Sequence, residues 1–167
     1  MTDSNETARS PRLIGADGGD VMGATGRQDR FLIESHETEG RFSLVEHTLG
    51  PRALAAPMHY HTREDEYTFV LEGRVGASLA GHEVYAEPGE LLFKPRGEWH
   101  TFWNAGDTPA RMLELISAGG LEQLFRRLGM LTDWPDPATL TEMAGEYGCR
   151  LDFDATVPLM ERLGLEL

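Results

Sequence analysis

The sequence predicts an all-β fold, a sandwich or barrel, followed by a helical extension. Three observations carry the prediction. From Asp29 onward the chain divides into short runs rich in β-branched and aromatic residues, with Gly and Pro between them. Within these runs His59 and His61 stand two apart, the spacing that puts both side chains on one face of an extended strand. After Gly119-Gly120 the apolar spacing changes to that of a helix.

Taken in order, residues 1 to about 28 read as a flexible tail. Thr2 to Arg12 is polar, and Gly15 to Gly26 holds five glycines with little to bury. The segment could add a strand at a sheet edge, but nothing in it requires one. The barrel domain is expected over 29–118. Its candidate strands are Arg30 to Ser35, Arg41 to Leu49, Arg52 to His61, Glu66 to Glu72 and Arg74 to Leu79. Glu83 to Ala86 follows a turn at Gly81-His82, and Glu90 to Lys94, His100 to Asn104 and Ala110 to Ser117 complete the set. Residues 119–167 form the helical extension. Leu121, Leu124, Phe125 and Leu128 fall on one helical face, and a second helix begins at Pro137 with Asp136 as its cap and Gly148 as terminator. Pro158 to Leu163 reads as a last short turn.

Composition bounds the function. A chain of 167 residues is expected to be one domain with a substantial core. Fifteen Lys and Arg against 28 Asp and Glu give a net charge of −13, which argues against nucleic acid or an anionic membrane as partner. The single cysteine, Cys149, excludes a disulfide framework within the chain and reads as a small buried apolar residue. No apolar run has the length of a membrane span and no hydrophobic signal core is visible, so the expected location is the cytoplasm and the expected partner a small molecule.

The chemistry lies in a two-part spacing. His59-Tyr60-His61 is followed by Glu66 and Gly73, and after fifteen residues come Gly89, Pro95, Gly97, His100 and Asn104. These residues resemble the paired motifs of the cupin family, HxHx4Ex6G and Gx5PxGx2Hx3N, at nine fixed positions. The glycine that usually precedes the first histidine by six places is replaced by Ala53. The resemblance covers roughly residues 30 to 117 and implies a jelly-roll β-barrel. It also implies that His59, His61, Glu66 and His100 are the ligands of one divalent transition metal: Fe, Ni, Mn, Zn or Co. Imidazole and carboxylate donors suit those ions and can leave positions open for substrate. Glu64 is the competing carboxylate, but Glu66 alone keeps the spacing to Gly73.

Strand alternation gives an expected pocket. Thr68 and Val70 share the face of Glu66, and Phe102 and Asn104 share the face of His100, so the lining is mostly apolar. The register of Arg41 to Leu49 stays open, with either Ser43, Val45 and His47 or Phe42, Leu44 and Glu46 inward. His47 is the one further histidine considered for acid–base work, against a surface or supporting role. A small apolar pocket beside a metal favours a dioxygenase acting on an enolic or aromatic compound. Glu66 then serves as catalytic base, as is thought for flavonol-cleaving relatives. The alternatives are a metal-dependent isomerase, epimerase or lyase for a sugar or keto acid, or a non-catalytic binding cupin. Tyr67, Phe69, Leu71, Trp99 and Trp103 face outward, which demands a cover: the C-terminal helices, or a second copy in a homodimer, the expectation adopted.

Overall fold

The computed structural model describes residues 10–167; the expected tail residues 1–9 lie outside that range. Eleven strands form two antiparallel sheets. They are β1 Asp20–Ala24, β2 Arg27–Ile33, β3 Ser43–Leu49, β4 Met58–His61, β5 Asp65–Glu72, β6 Val75–Leu79, β7 His82–Ala86, β8 Leu91–Lys94, β9 His100–Asn104, β10 Ala110–Ser117 and β11 Cys149–Asp152. One sheet runs β1-β2-β3-β10-β5-β8 and the other β11-β4-β9-β6-β7. Three helices follow the barrel strands: α1 Glu122–Gly129, α2 Pro137–Glu146 and α3 Phe153–Leu163. The result is a jelly-roll sandwich with C-terminal helices.

Alternation explains the core between the sheets. β10 buries every second residue, Ala110, Met112, Glu114 and Ile116; Ala110 and Met112 pack with Leu49 and Val70 of their own sheet and Val75, Ala77 and Phe102 of the other, and Ile116 packs with Phe31 and Val45. The register of β3 is settled by burial: Ser43, Val45, His47 and Leu49 all point inward. The motif glycines Gly73, Gly89 and Gly97 take positive φ of 76°, 95° and 80° at strand ends, a conformation a β-carbon penalises.

Three elements differ from the sequence expectation. Part of the anticipated tail is a strand, β1, paired antiparallel with β2. Its glycines are functional to that pairing: a β-carbon at Gly23 would stand 2.4 Å from the Arg27 carbonyl oxygen. Second, only the end of Arg52 to His61 is regular. Ala53 and Leu54 instead bridge to Glu166 and Trp103, and Arg52 takes a φ of 59°. Third, β11 and α3 occupy a stretch expected to be irregular up to a last turn at Pro158. β11 pairs with β4, and Asp152 caps α3 by accepting from the Ala155 amide at 2.9 Å.

The outer faces are covered unequally. Trp103 is 2% exposed, packed with Leu54 and with Leu159 and Leu165 from the α3 segment. Its expected role at an intermolecular face is thereby corrected, because the chain's own C-terminus covers it. The outer side of β5 and β8 has no such cover: Phe69 is 41%, Leu91 56% and Phe93 50% exposed. Nor does the α1 stripe cover that face. It packs with Phe31, Val45 and Ile116 over one end of the barrel. Glu122 fixes α1 there by accepting from the Ser35 and Gly120 amides at 2.9 and 2.7 Å, and Arg126 pairs with Glu34 at 2.6 Å.

Candidate metal centre and cavity

β4 carries His59 and His61 inward, with Tyr60 turned outward against Trp99. β9 lies beside β4 with His100 opposite His59. Glu66 approaches from the other sheet, on β5, so the four side chains meet between the sheets. Their candidate ligand atoms all lie within 4.8 Å of one another, and all four residues are buried. Imidazole centroids stand 4.3 Å apart for His59 and His100 and 4.8 Å for His59 and His61.

Backbone carbonyls set the tautomers. His59 Nδ1 lies 2.7 Å from the Pro57 oxygen, and His100 Nδ1 lies 2.9 Å from the Glu98 oxygen. A carbonyl only accepts, so each Nδ1 carries the hydrogen and each Nε2 turns a lone pair to the cluster. His100 Nε2 then faces Glu66 Oε2 at 3.2 Å, and His61 Nε2 faces Glu66 Oε1 at 3.4 Å. Two lone-pair atoms at such distances repel unless a proton or cation lies between them. Both ring nitrogens of His61 are buried without a hydrogen-bond partner. That orphaned imidazole and the convergent lone pairs fit a metal ion.

Electrostatics point the same way. Burial and the neighbouring imidazoles hold His59 well below the ordinary histidine range, and burial lowers His100. Burial would raise Glu66, but Lys94 and His61 outweigh it and hold the carboxyl well below its usual value. Burial would lower His61, yet Glu66 and Cys149 raise it to about 10, so the surroundings of this imidazole favour a positive charge. Glu64, the competing carboxylate, lies outside the cluster: its Oε2 stands 4.0 Å from His61 Nδ1, and burial raises its carboxyl.

Behind Glu66 runs a line of buried charges that the motifs do not include. Lys94 Nζ lies 2.9 Å from Glu66 Oε2 and also bonds Glu114 Oε1, which accepts from Thr68 Oγ1 at 2.6 Å. Glu114 Oε2 meets His47 Nε2 at 2.8 Å, and His47 Nδ1 meets Asp29 Oδ1 at 2.7 Å. With a carboxylate on each ring nitrogen, His47 is an imidazolium. Burial opposes this, but Asp29 and Glu114 raise it to about 10. Burial and Glu66 would raise Glu114; Lys94 and His47 prevail and lower it to about 2. Sequence reasoning passed over Lys94, Glu114 and Asp29. A visible signal existed in β10, where Glu114 takes the inward register between Met112 and Ile116.

The cluster opens onto a cavity of about 290 Å³. His59, His61, Glu66, His47, Glu114 and Asp29 line it, together with an apolar wall from Leu49, Phe102, Leu121 and the α1 residues Leu124, Phe125 and Leu128. Of the four expected pocket residues only Phe102 is on this wall. Thr68 is committed to Glu114, and Val70 sits in the core with Leu92 and Met112. Asn104 is a loop clamp, with Nδ2 within reach of the Leu49, Gly50 and Thr108 carbonyls and Oδ1 accepting from Gly106 at 2.8 Å. Their faces follow the alternation, but they do not line the cavity. Cys149 is buried as expected, opposite His61 on β11, and also touches the cavity.

Comparison with known proteins agrees with this geometry. The family model for the cupin domain matches residues 45–116. The tetracenomycin polyketide synthase protein TcmJ of Streptomyces glaucescens is 41% identical over 59 residues, covering 35% of this chain and 40% of that protein. Quercetin 2,3-dioxygenase of Bacillus subtilis is 26% identical over 119 residues, 71% of this chain and 35% of that protein. This chain therefore matches well under half the length of both. Among solved structures, the polyketide cyclase RemF of Streptomyces resistomycificus superposes with a TM-score of 0.56 at 28% identity, covering 65% of this chain and 80% of that one. No helix among the described residues is long and apolar enough to cross a membrane. With both motifs in place on two antiparallel sheets and the family match spanning β3 to β10, residues 45–116 form a cupin domain.

Proposed function

We propose that this cupin is a metal-dependent enzyme acting on a small enolic or aromatic compound, with cleavage by dioxygen as its reaction. The observation that carries this reading is the cavity, in which a buried three-histidine, one-glutamate cluster opens onto an apolar wall. A sugar needs partners for many hydroxyls, but His47, Glu114 and Asp29 on the wall are bonded to one another, and Leu49, Phe102, Leu121 and Leu124 provide none. A flat, largely apolar ring system loses little on entering such a site.

His59, His61, Glu66 and His100 would hold one divalent transition ion, which supplies Lewis acidity toward an enol oxygen and, for a redox-active ion, reactivity with dioxygen. The protein's own part is orientation and proton handling. The apolar wall from α1 excludes water and lays the ring against Phe102. Glu66 acts as base toward the enol hydroxyl. Its Oε2 is held by Lys94 at 2.9 Å and faces His100, so the proton goes to Oε1, whose neighbour is His61 Nε2 at 3.4 Å. The similarity to quercetin 2,3-dioxygenase supports this reading.

A second reading is non-oxidative cyclisation or isomerisation of a related enol. The His47 imidazolium on the cavity wall favours it, as an acid that needs no oxygen, and the likeness to TcmJ and RemF adds weight. One experiment separates the two. Protein loaded in turn with Fe, Ni, Mn, Zn or Co is offered flavonols and small enols in an oxygen electrode. Uptake matching substrate loss supports cleavage; equal substrate loss under argon supports the second reading instead.

We further infer a homodimer through the uncovered outer face of β5 and β8. Tyr67 stacks on Phe93 there at 5.1 Å, and Phe69 and Leu91 are exposed beside them.

A further inference from the structure

We propose that Arg27 forms a carboxylate-binding subsite of the cavity, so that the substrate is an aromatic or enolic acid rather than a neutral ring. The proposal rests on the reading of this cavity as the substrate site. Arg27 begins β2, on the same strand face as Asp29, and both side chains reach the cavity wall. Its guanidinium lies over the Trp134 ring, 4.6 Å from the centroid, and one Nη donates to the Leu54 carbonyl at 2.5 Å. The Nε–H is buried and has no hydrogen-bond partner.

A half-buried guanidinium keeps its charge, and its buried Nε–H calls for an anion. The nearby carboxylate, Asp29, is already engaged by His47 Nδ1 at 2.7 Å, and His47 is in turn engaged by Glu114. Among the described residues no ion pair joins Arg27 to Asp29, and burial lowers the guanidinium's pKa more than the charge of Asp29 raises it. The three carboxylates Asp29, Glu114 and Glu66 are thus taken up by His47, Lys94 and the histidine cluster, leaving Arg27 on the wall with no ion pair among the described residues. Asp133 also touches the cavity, but it is exposed, on the loop that carries Trp134. A carboxylate presented to Nε and a neighbouring Nη would satisfy the orphaned donor in the planar geometry a guanidinium prefers. Trp134 and Leu131, from the loop after α1, would flank the ring that bears it.

Binding can be measured without turnover. Calorimetric titration under argon with 2-naphthoate and its neutral isostere 2-naphthamide should show the acid bound roughly ten-fold or more tightly by the wild type, the scale of one charge-assisted hydrogen bond. Arg27→Gln should bring the two affinities together, and Arg27→Lys should keep part of the preference by charge alone. His59→Ala, which disables the histidine cluster, should leave the preference standing. Equal affinities in the wild type, or no binding of either probe, would overturn the subsite. So would a preference that survives Arg27→Gln or disappears with His59→Ala. Because no oxygen is consumed, a negative oxygen-uptake result leaves this readout intact, and the two claims fail separately.

Discussion

Lys94 Nζ lies 2.9 Å from Glu66 Oε2, so the one carboxylate in the candidate metal cluster is tethered to a fully buried cation. The same ammonium bonds Glu114, which links the cluster to His47 and Asp29 on the cavity wall. Charges alternate along the line, and the buried groups Glu66, Lys94, Glu114 and His47 are each compensated by their neighbours.

Breaking that line at its centre should be costly. Lys94→Met leaves Glu66 and Glu114 facing each other without a cation, and stability should fall by about 3–5 kcal/mol, the usual loss when one partner of a buried pair is removed. Urea unfolding of metal-free wild type and variant measures it; a loss under about 1 kcal/mol would show that solvent reaches the site.

The His47–Glu114 pair predicts a pH window. His47 is raised from 6.5 to about 10, so its contribution is complete below 6.5 and is lost as pH rises through about 10. Glu114 is lowered from 4.5 to about 2, so its contribution is complete above 4.5 and is lost as pH falls through about 2. The difference in unfolding free energy between wild type and His47→Gln should be greatest between pH 4.5 and 6.5 and shrink on both sides. A difference that grew toward alkaline pH would mean that His47 is neutral in the folded protein.

The two aromatic faces should respond differently to charge. Phe69→Glu places a carboxylate on the exposed face of β5 and should shift the light-scattering mass toward 18.5 kDa while the fold and metal content persist. Trp103→Glu buries a charge against Leu54 and Leu159, so it should lower the melting temperature or prevent folding rather than dissociate a dimer. A wild-type mass of 18.5 kDa at micromolar concentration would refute the dimer.

How much of this was legible in the sequence depends on the range of the contacts. The four cluster residues lie on strands whose alternation is local, and the glycines and proline around them mark the turns that bring those strands together. The charge line depends on register between distant strands: Asp29 stands opposite His47 across β2 and β3, and Glu114 opposite Thr68 across β10 and β5. Nothing local announces such pairings. β1 and β11 were hidden for the same reason, being short, poorly buried or flanked by helices, and held by partner strands. Val70 and Asn104 show the limit of alternation, which gives the face of a residue but not its depth in the barrel.

Metal content tests the central claim most directly. After reconstitution and removal of loose ions, mass spectrometry of the wild type should find about one divalent transition ion per chain. His59→Ala and Glu66→Gln should lose most of it, and His47→Ala, on the cavity wall outside the cluster, should retain it. A wild type that binds no ion, or a His59→Ala variant that keeps its full complement, would contradict the assignment of His59, His61, Glu66 and His100 as one metal site.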